Sequence, residues 1–188
     1  MKKTCLIYLL LFLFFVSCDN QKKKQELIST EIVNQILPSI IDSLKIGSWD
    51  SEKLNIAFNP IYILDTIYQR YSVDEIRDAT KFYNYDLPNI TFYSLGVNKL
   101  LIRSKLINDT LQVRSIGSVE DANMDFKDSE NRITLSFCDL YLNEDKNYGF
   151  LSAIEHIGYY GGGNMYTFFI INTKGKWNVE RCLLTAIR

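Results

Sequence analysis

The sequence predicts an α+β fold: an N-terminal amphipathic helix packed on a curved, mainly antiparallel sheet that ends in a four-stranded meander. Three observations predict it. Residues 132–188 alternate strand-like runs with short polar or glycine-rich connections, and short connections make neighbouring strands antiparallel. Residues 26–46 carry apolar side chains at helical spacing. Between these stretches, Ser72-Val73-Asp74-Glu75 is a capping box that opens a second helix.

In the long helix, Ile28, Ile32, Ile36, Ile40 and Leu44 recur every four residues, with Val33, Leu37 and Ile41 as the adjoining row. The result is one broad apolar stripe. Its polar face is not basic, so the stripe is expected to cover one face of the sheet rather than lie on a membrane. Pro38 removes a backbone donor and should kink or split the helix. Gly47 falls where a C-cap glycine belongs. A polar loop over 47–53 leads to strand-like pieces in 54–68, with Ile61-Tyr62-Ile63-Leu64 the strongest. The capped helix should run to about Phe82. Residues 89–95, 99–107 and 111–116 alternate as strands. Asn108-Asp109-Thr110 reads as a hairpin turn, and the acidic stretch 118–131 as a long loop.

The closing block begins at Ile133-Thr134-Leu135-Ser136-Phe137-Cys138-Asp139-Leu140-Tyr141-Leu142, rich in β-branched and aromatic residues. Residues 143–147 make a polar turn, and Tyr148 to Tyr160 is the next strand. Gly161-Gly162-Gly163-Asn164 reverses the chain, because glycine takes positive φ without steric cost. Met165 to Asn172 is the third strand, Thr173-Lys174-Gly175 the next turn, and Lys176 to Thr185 the fourth strand.

The first residues address location. Met1-Lys2-Lys3 is positive, Leu6 to Val16 is apolar, and Ser17-Cys18 ends the run. These are the parts of a secretory signal, and the run is short for a membrane span. Phe15-Val16-Ser17-Cys18 also resembles a bacterial lipobox, with phenylalanine where leucine is usual. The resemblance implies cleavage before Cys18 and lipidation of Cys18. Residues 1–17 then form a lipoprotein signal peptide, 18–25 a polar tether, and 26–188 a single α+β domain. Acyl chains hold a protein on a membrane through buried methylenes.

A second resemblance covers about the last third of the chain. The sequence Leu142-Asn143-Glu144-Asp145-Lys146, the glycine turn at 161–163 and Gly175-Lys176-Trp177 look like a recurring block in small lipoproteins of Bacteroidota-type bacteria. There a strand leads to an F-N-x-D-K turn, and a G-K-W closes the domain; leucine here replaces the phenylalanine. The resemblance implies a cell-envelope protein, on the outer membrane facing the periplasm or the cell surface. It carries no catalytic residue to transfer. The helix-on-sheet shape is similar to cystatin-like and nuclear-transport-factor-2-like folds, which serve many functions.

Composition narrows the function further. The 188 residues are 47% hydrophobic and 13% aromatic with a net charge of −1, so no basic surplus argues for nucleic acid. No cysteine and histidine spacing fits zinc, and no motif calls for a cofactor. Cys138 and Cys182 are expected as two thiols, since two strands separate theirs.

His156 is the single histidine of the sequence. It is either a general base in a cleft with Glu155 or Asp139, or an ordinary strand histidine. Glu155 and His156 are neighbours on a strand and should point to opposite faces. Tyr148, His156, Tyr159, Tyr160 and Tyr166 are candidates for a binding surface that stacks on sugar or peptide. Asp42-Ser43-Leu44, Asp65-Thr66-Ile67 and Asp109-Thr110-Leu111 resemble the short O-glycosylation sequon of the same bacteria, with Thr110 the best placed.

The chain therefore reads as a lipid-anchored envelope protein with a non-catalytic binding domain. Its partners would be the membrane, through Cys18, and an envelope protein, peptide or glycan. Two alternatives stay open: a small hydrolase or isomerase with a cleft around His156, and an immunity or inhibitor-type lipoprotein that binds a protein target.

Overall fold

A computed structural model describes residues 2–47, 61–96, 98–102, 106–107, 111–117, 133–157 and 163–187. Among the described residues the fold is α+β, with two helices and a large open mixed sheet in which seven strands form a continuous path and two short strands pair beside it. Helix α1 spans Lys2–Gly47 and α2 spans Val73–Phe82. The strands are β1 (Ile61–Tyr68), β2 (Phe92–Ser94), β3 (Asn98–Lys99), β4 (Leu106–Ile107), β5 (Leu111–Ile116), β6 (Ile133–Asn143), β7 (Tyr148–Ile157), β8 (Asn164–Thr173) and β9 (Lys176–Ile187). The sheet order is β4-β5-β1-β6-β7-β8-β9, with β2 paired to β6 and β3 to β1 off that path.

The sheet is mixed because β1 runs parallel to both β5 and β6. The turn argument governs strands joined by tight connections, whereas α2 and three short strands separate β1 from β5. Ile61, Tyr62, Ile63 and Leu64 are all buried. An unbroken apolar run of this kind is what a central parallel strand requires. β6, β7, β8 and β9 pair antiparallel in sequence order. Their 174–175 turn has positive φ at both Lys174 and Gly175 (54° and 84°), as a type I′ hairpin turn demands. Residues 99–107, expected as one strand, are broken: β3 ends at Lys99, and Leu101 and Ile102 lie outside any strand. There the Leu100 amide bonds Asp65 O, and the Leu101 amide bonds Thr30 Oγ1.

The two faces of the sheet carry different apolar clusters. Ile32, Val33, Ile36, Leu37, Ile40, Ile41 and Leu44 of α1 are buried with Ile63, Leu135, Phe137, Leu151, Phe168 and Trp177. Ile76 of α2 and Leu87 are buried with Cys138, Tyr141, Phe150, Ile154, Met165 and Phe169. Cys138 and Cys182 are both thiols, not joined in a disulfide. They pack against different clusters, so opposite faces separate them as well as strand distance.

Two expectations for α1 change. The helix includes residues 18–25, where a polar tether was expected. Glutamine and lysine are good helix formers, and the stretch has no glycine or proline to stop propagation. The helix also runs unsplit through Pro38, which lies inside it. The burial of Leu37, Ile40 and Ile41 around an exposed Pro38 outweighs the lost hydrogen bond. Pro38→Ala restores the donor to Asn34 O and should raise stability by about 1–2 kcal/mol, read as a higher urea midpoint with unchanged slope.

Candidate functional site

The site begins with a fault in β6. Cys138 pairs with Ser152 and Tyr141 with Phe150, so three steps on β6 oppose two on β7. The extra residue is Asp139, at φ 57°. This is a β-bulge, with the aspartate in the left-handed region that short polar side chains tolerate. Asp139 is 1% exposed. Its Oδ1 accepts hydrogen bonds from the backbone amides of Arg70 (2.5 Å) and Tyr71 (2.8 Å). Tyr141, just past the bulge, donates from its hydroxyl to Tyr71 O (2.8 Å) and accepts from Gln69 Nε2 (3.2 Å). Residues 69–71 are thereby tied to β6, and Ser72 follows as the N-cap of α2 with its capping box complete.

Burial pushes the Asp139 carboxyl above the ordinary aspartate range, against the two amides and the Arg70 charge. Oδ2 accepts no conventional hydrogen bond; the adjacent Cys138 thiol, a weak donor, is the remaining polar group acting on the carboxyl.

Beside this bend lies a cavity of about 210 Å³ lined by Tyr68, Arg70, Ser136, Phe137, Cys138, Ile154 and His156. The register explains the company. Thr134 pairs with His156 and Ser136 with Ile154, so alternate residues of β6 and β7 reach the face that bears α2. Tyr68 pairs with Cys138 at the end of β1. Among the described residues the lining thus holds a guanidinium, an imidazole and two hydroxyls with apolar walls between them. A second cavity of about 390 Å³ lies between α2 and the ends of β8 and β9, with Glu75, Ile76, Met165 and Thr185 in its lining. Ile154 of the first cavity pairs with Met165 of the second.

The expected site residues are dispersed. His156 lines the first cavity, whereas Glu155 is buried with the opposite face, where its Oε2 accepts from Asn164 Nδ2 (2.9 Å) and Tyr166 Oη (3.2 Å). Tyr166 therefore cannot share a surface with His156. Tyr148 lies at the other end of β7, bonded through its hydroxyl to Tyr85 Oη at 2.8 Å. Eight residues of strand, about 26 Å, separate it from His156. Tyr159, Tyr160 and Thr110 lie outside the described residues, as does the side chain of Cys18. Ser43 lies in α1 and donates to Ser39 O; Thr66 lies in β1 beside Asp65.

Sequence reasoning missed Tyr68, Arg70 and Ser136 as neighbours of His156. The available signal was Asp139 itself, an acid set among Phe137, Cys138 and Leu140, where an unpaired charge would be costly.

Burial raises the Glu155 carboxyl above its usual value, with Asn164 and Tyr166 opposing the shift. A raised acid favours folding most below its ordinary value, near 4.5. That contribution falls as pH rises through the native value, because the unfolded chain ionises more easily. Glu155→Gln should therefore be more stable than the parent at pH 8, and the difference should close as pH falls to about 4. Melting temperatures of both proteins across that range check this. Burial likewise raises the Tyr148 and Tyr166 hydroxyls, and pushes the Cys182 thiol up to about 11.

Among the described residues, no group of three or more histidine, cysteine, aspartate or glutamate side chains is placed to hold a metal. Nor is any helix among them long and apolar enough to cross a membrane. The chain matches no protein-family model, and no curated protein and no solved structure is detectably similar to it.

Proposed function

We propose that the chain is a lipid-anchored cell-envelope protein, acylated at Cys18, whose domain binds a partner without transforming it. In this reading α1 covers one face of a curved sheet, the β6–β9 meander is a rigid scaffold, and the opposite face carries the binding cavity. The observation that carries the binding reading is the cavity beside Asp139, where Arg70, His156, Tyr68 and Ser136 converge.

Such a lining suits an acidic or hydrogen-bonding group on an envelope partner, such as a carboxylate side chain or chain terminus. It suits acid–base catalysis less well. The acid next to His156 in sequence belongs to the other face, and the Asp139 carboxyl is engaged by the amides of residues 70 and 71.

The test is crosslinked capture with the tagged, acylated protein, its Arg70→Glu variant and its Cys18→Ala variant. Arg70 is exposed, so the variant should fold. A partner recovered with the parent should fall at least about tenfold with Arg70→Glu, as expected when one charged pair becomes repulsive. Equal recovery with both would remove the cavity from the binding site. Release of Cys18→Ala from the membrane fraction reports the anchor separately.

A further inference from the structure

We infer that the N-terminal end of the domain rests on an anionic lipid surface, through a face made by α1 and the segment after β3. This inference rests on the anchor reading above.

Helix α1 is continuous from before Cys18 to Gly47, so the anchor is joined to the domain by a helix rather than by a loose tether. Nine residues separate Cys18 from Leu27, a rise of about 14 Å. The elements of the domain can be levelled along that helix. Asn98 Nδ2 bonds Ser29 Oγ, and Asn34 Nδ2 bonds Leu101 O, so residues 98–101 sit near the anchor end. The Trp177 amide bonds Gln35 Oε1, and Ser43 lies beside Cys182. β9 therefore runs along α1 away from the anchor.

At the near end, Leu27 and Leu101 are 67% and 70% exposed, uncommon for leucines next to one another. They line two adjoining hollows with Lys23, Glu26, Thr30 and Lys99. Lys22, Lys23 and Lys24 are all exposed. Glu26 and Glu31 lie on the same side, and Asp65 lies 3.7 Å from Lys99. The positive excess is therefore carried by Lys22–Lys24, within about a screening length of the anchor, where each lysine gains most from anionic headgroups. A tilted helix brings the two leucines down to the same surface, apolar side chains beside a cationic stretch.

The experiment is hydroxyl-radical footprinting of the acylated protein in two kinds of vesicle, pure phosphatidylcholine and phosphatidylcholine with phosphatidylglycerol. Oxidation of Leu27 and Leu101 should fall about threefold or more in the anionic vesicles. Phe82, 83% exposed on α2, serves as the reference and should not change. The triple variant Lys22→Glu, Lys23→Glu, Lys24→Glu should lose the protection while remaining acylated. Equal oxidation of the leucines in both vesicles, or protection that survives the triple variant, would overturn the inference and leave the anchor standing. Intact mass reports the lipid on Cys18. Its absence would overturn the anchor reading and this inference together.

Discussion

Replacing Asp139 with alanine should cost about 3 kcal/mol of stability. Two part-buried backbone amides, those of Arg70 and Tyr71, would lose their shared acceptor. A charge-assisted bond of this kind is worth about 1.5–3 kcal/mol, and an orphaned buried donor costs about 1–3 kcal/mol. Alanine would also have to hold φ 57°, a conformation that costs an ordinary L-residue about 1–2 kcal/mol. Removing a carboxyl that burial already disfavours returns part of this, which is why the expectation stays near 3. Asp139→Asn separates the causes. Asparagine tolerates the left-handed region and keeps an oxygen acceptor, so its cost should stay within about 1 kcal/mol. Urea unfolding of the three proteins decides it: equal losses for alanine and asparagine would show that the charge, not the acceptor, holds the bend.

Phe150→Ala should cost about 4 kcal/mol, the largest effect of a single truncation here. Phe150 is fully buried. Its ring lies 5.0 Å from Tyr141, 5.2 Å from Phe92 and 6.4 Å from Phe169. It thus joins β2, β6 and β8 on the face that carries α2. Truncation loses the transfer energy of the ring and leaves a void that three aromatic neighbours on separate strands cannot close together. The same change at Phe82, 83% exposed, should move stability by less than about 0.5 kcal/mol. Chemical denaturation of the two variants makes the comparison.

Much of the local structure was legible because it rests on short-range chemistry. The Ser72 capping box opens α2, the Lys174-Gly175 turn joins β8 to β9, and Ile61 to Leu64 lie in β1. The parallel pairing of β1 was not legible. Its unbroken apolar run signals burial on both faces, yet nothing in the run says which strands flank it. The length of α1 was misjudged because a run of lysine and glutamine is compatible with both a solvated linker and a helix. The candidate site was the least legible part. His156 was visible as a lone titratable side chain, but Tyr68, Arg70 and Ser136 come to it through a parallel strand pairing and a bulge. Neither leaves a periodic trace in the sequence.

The bulge in β6 has a bearing on which residues the sheet could do without. Leu135 and Phe137 before it, and Leu140 and Leu142 after it, all belong to the cluster that contains α1. With Asp139 struck out, alternation would pass from Phe137 to Leu140 unbroken, and every side chain of the strand would keep its present side. Asp139 is therefore surplus to the strand as a piece of sheet. Its one irreplaceable contact is with the chain that turns from β1 into α2, and through it with the placing of Arg70. A family of relatives would distinguish the two roles by chain length alone. Where the cavity is used, the additional residue should persist; where it has fallen out of use, this is the position at which β6 can shorten by one residue without harm to its packing.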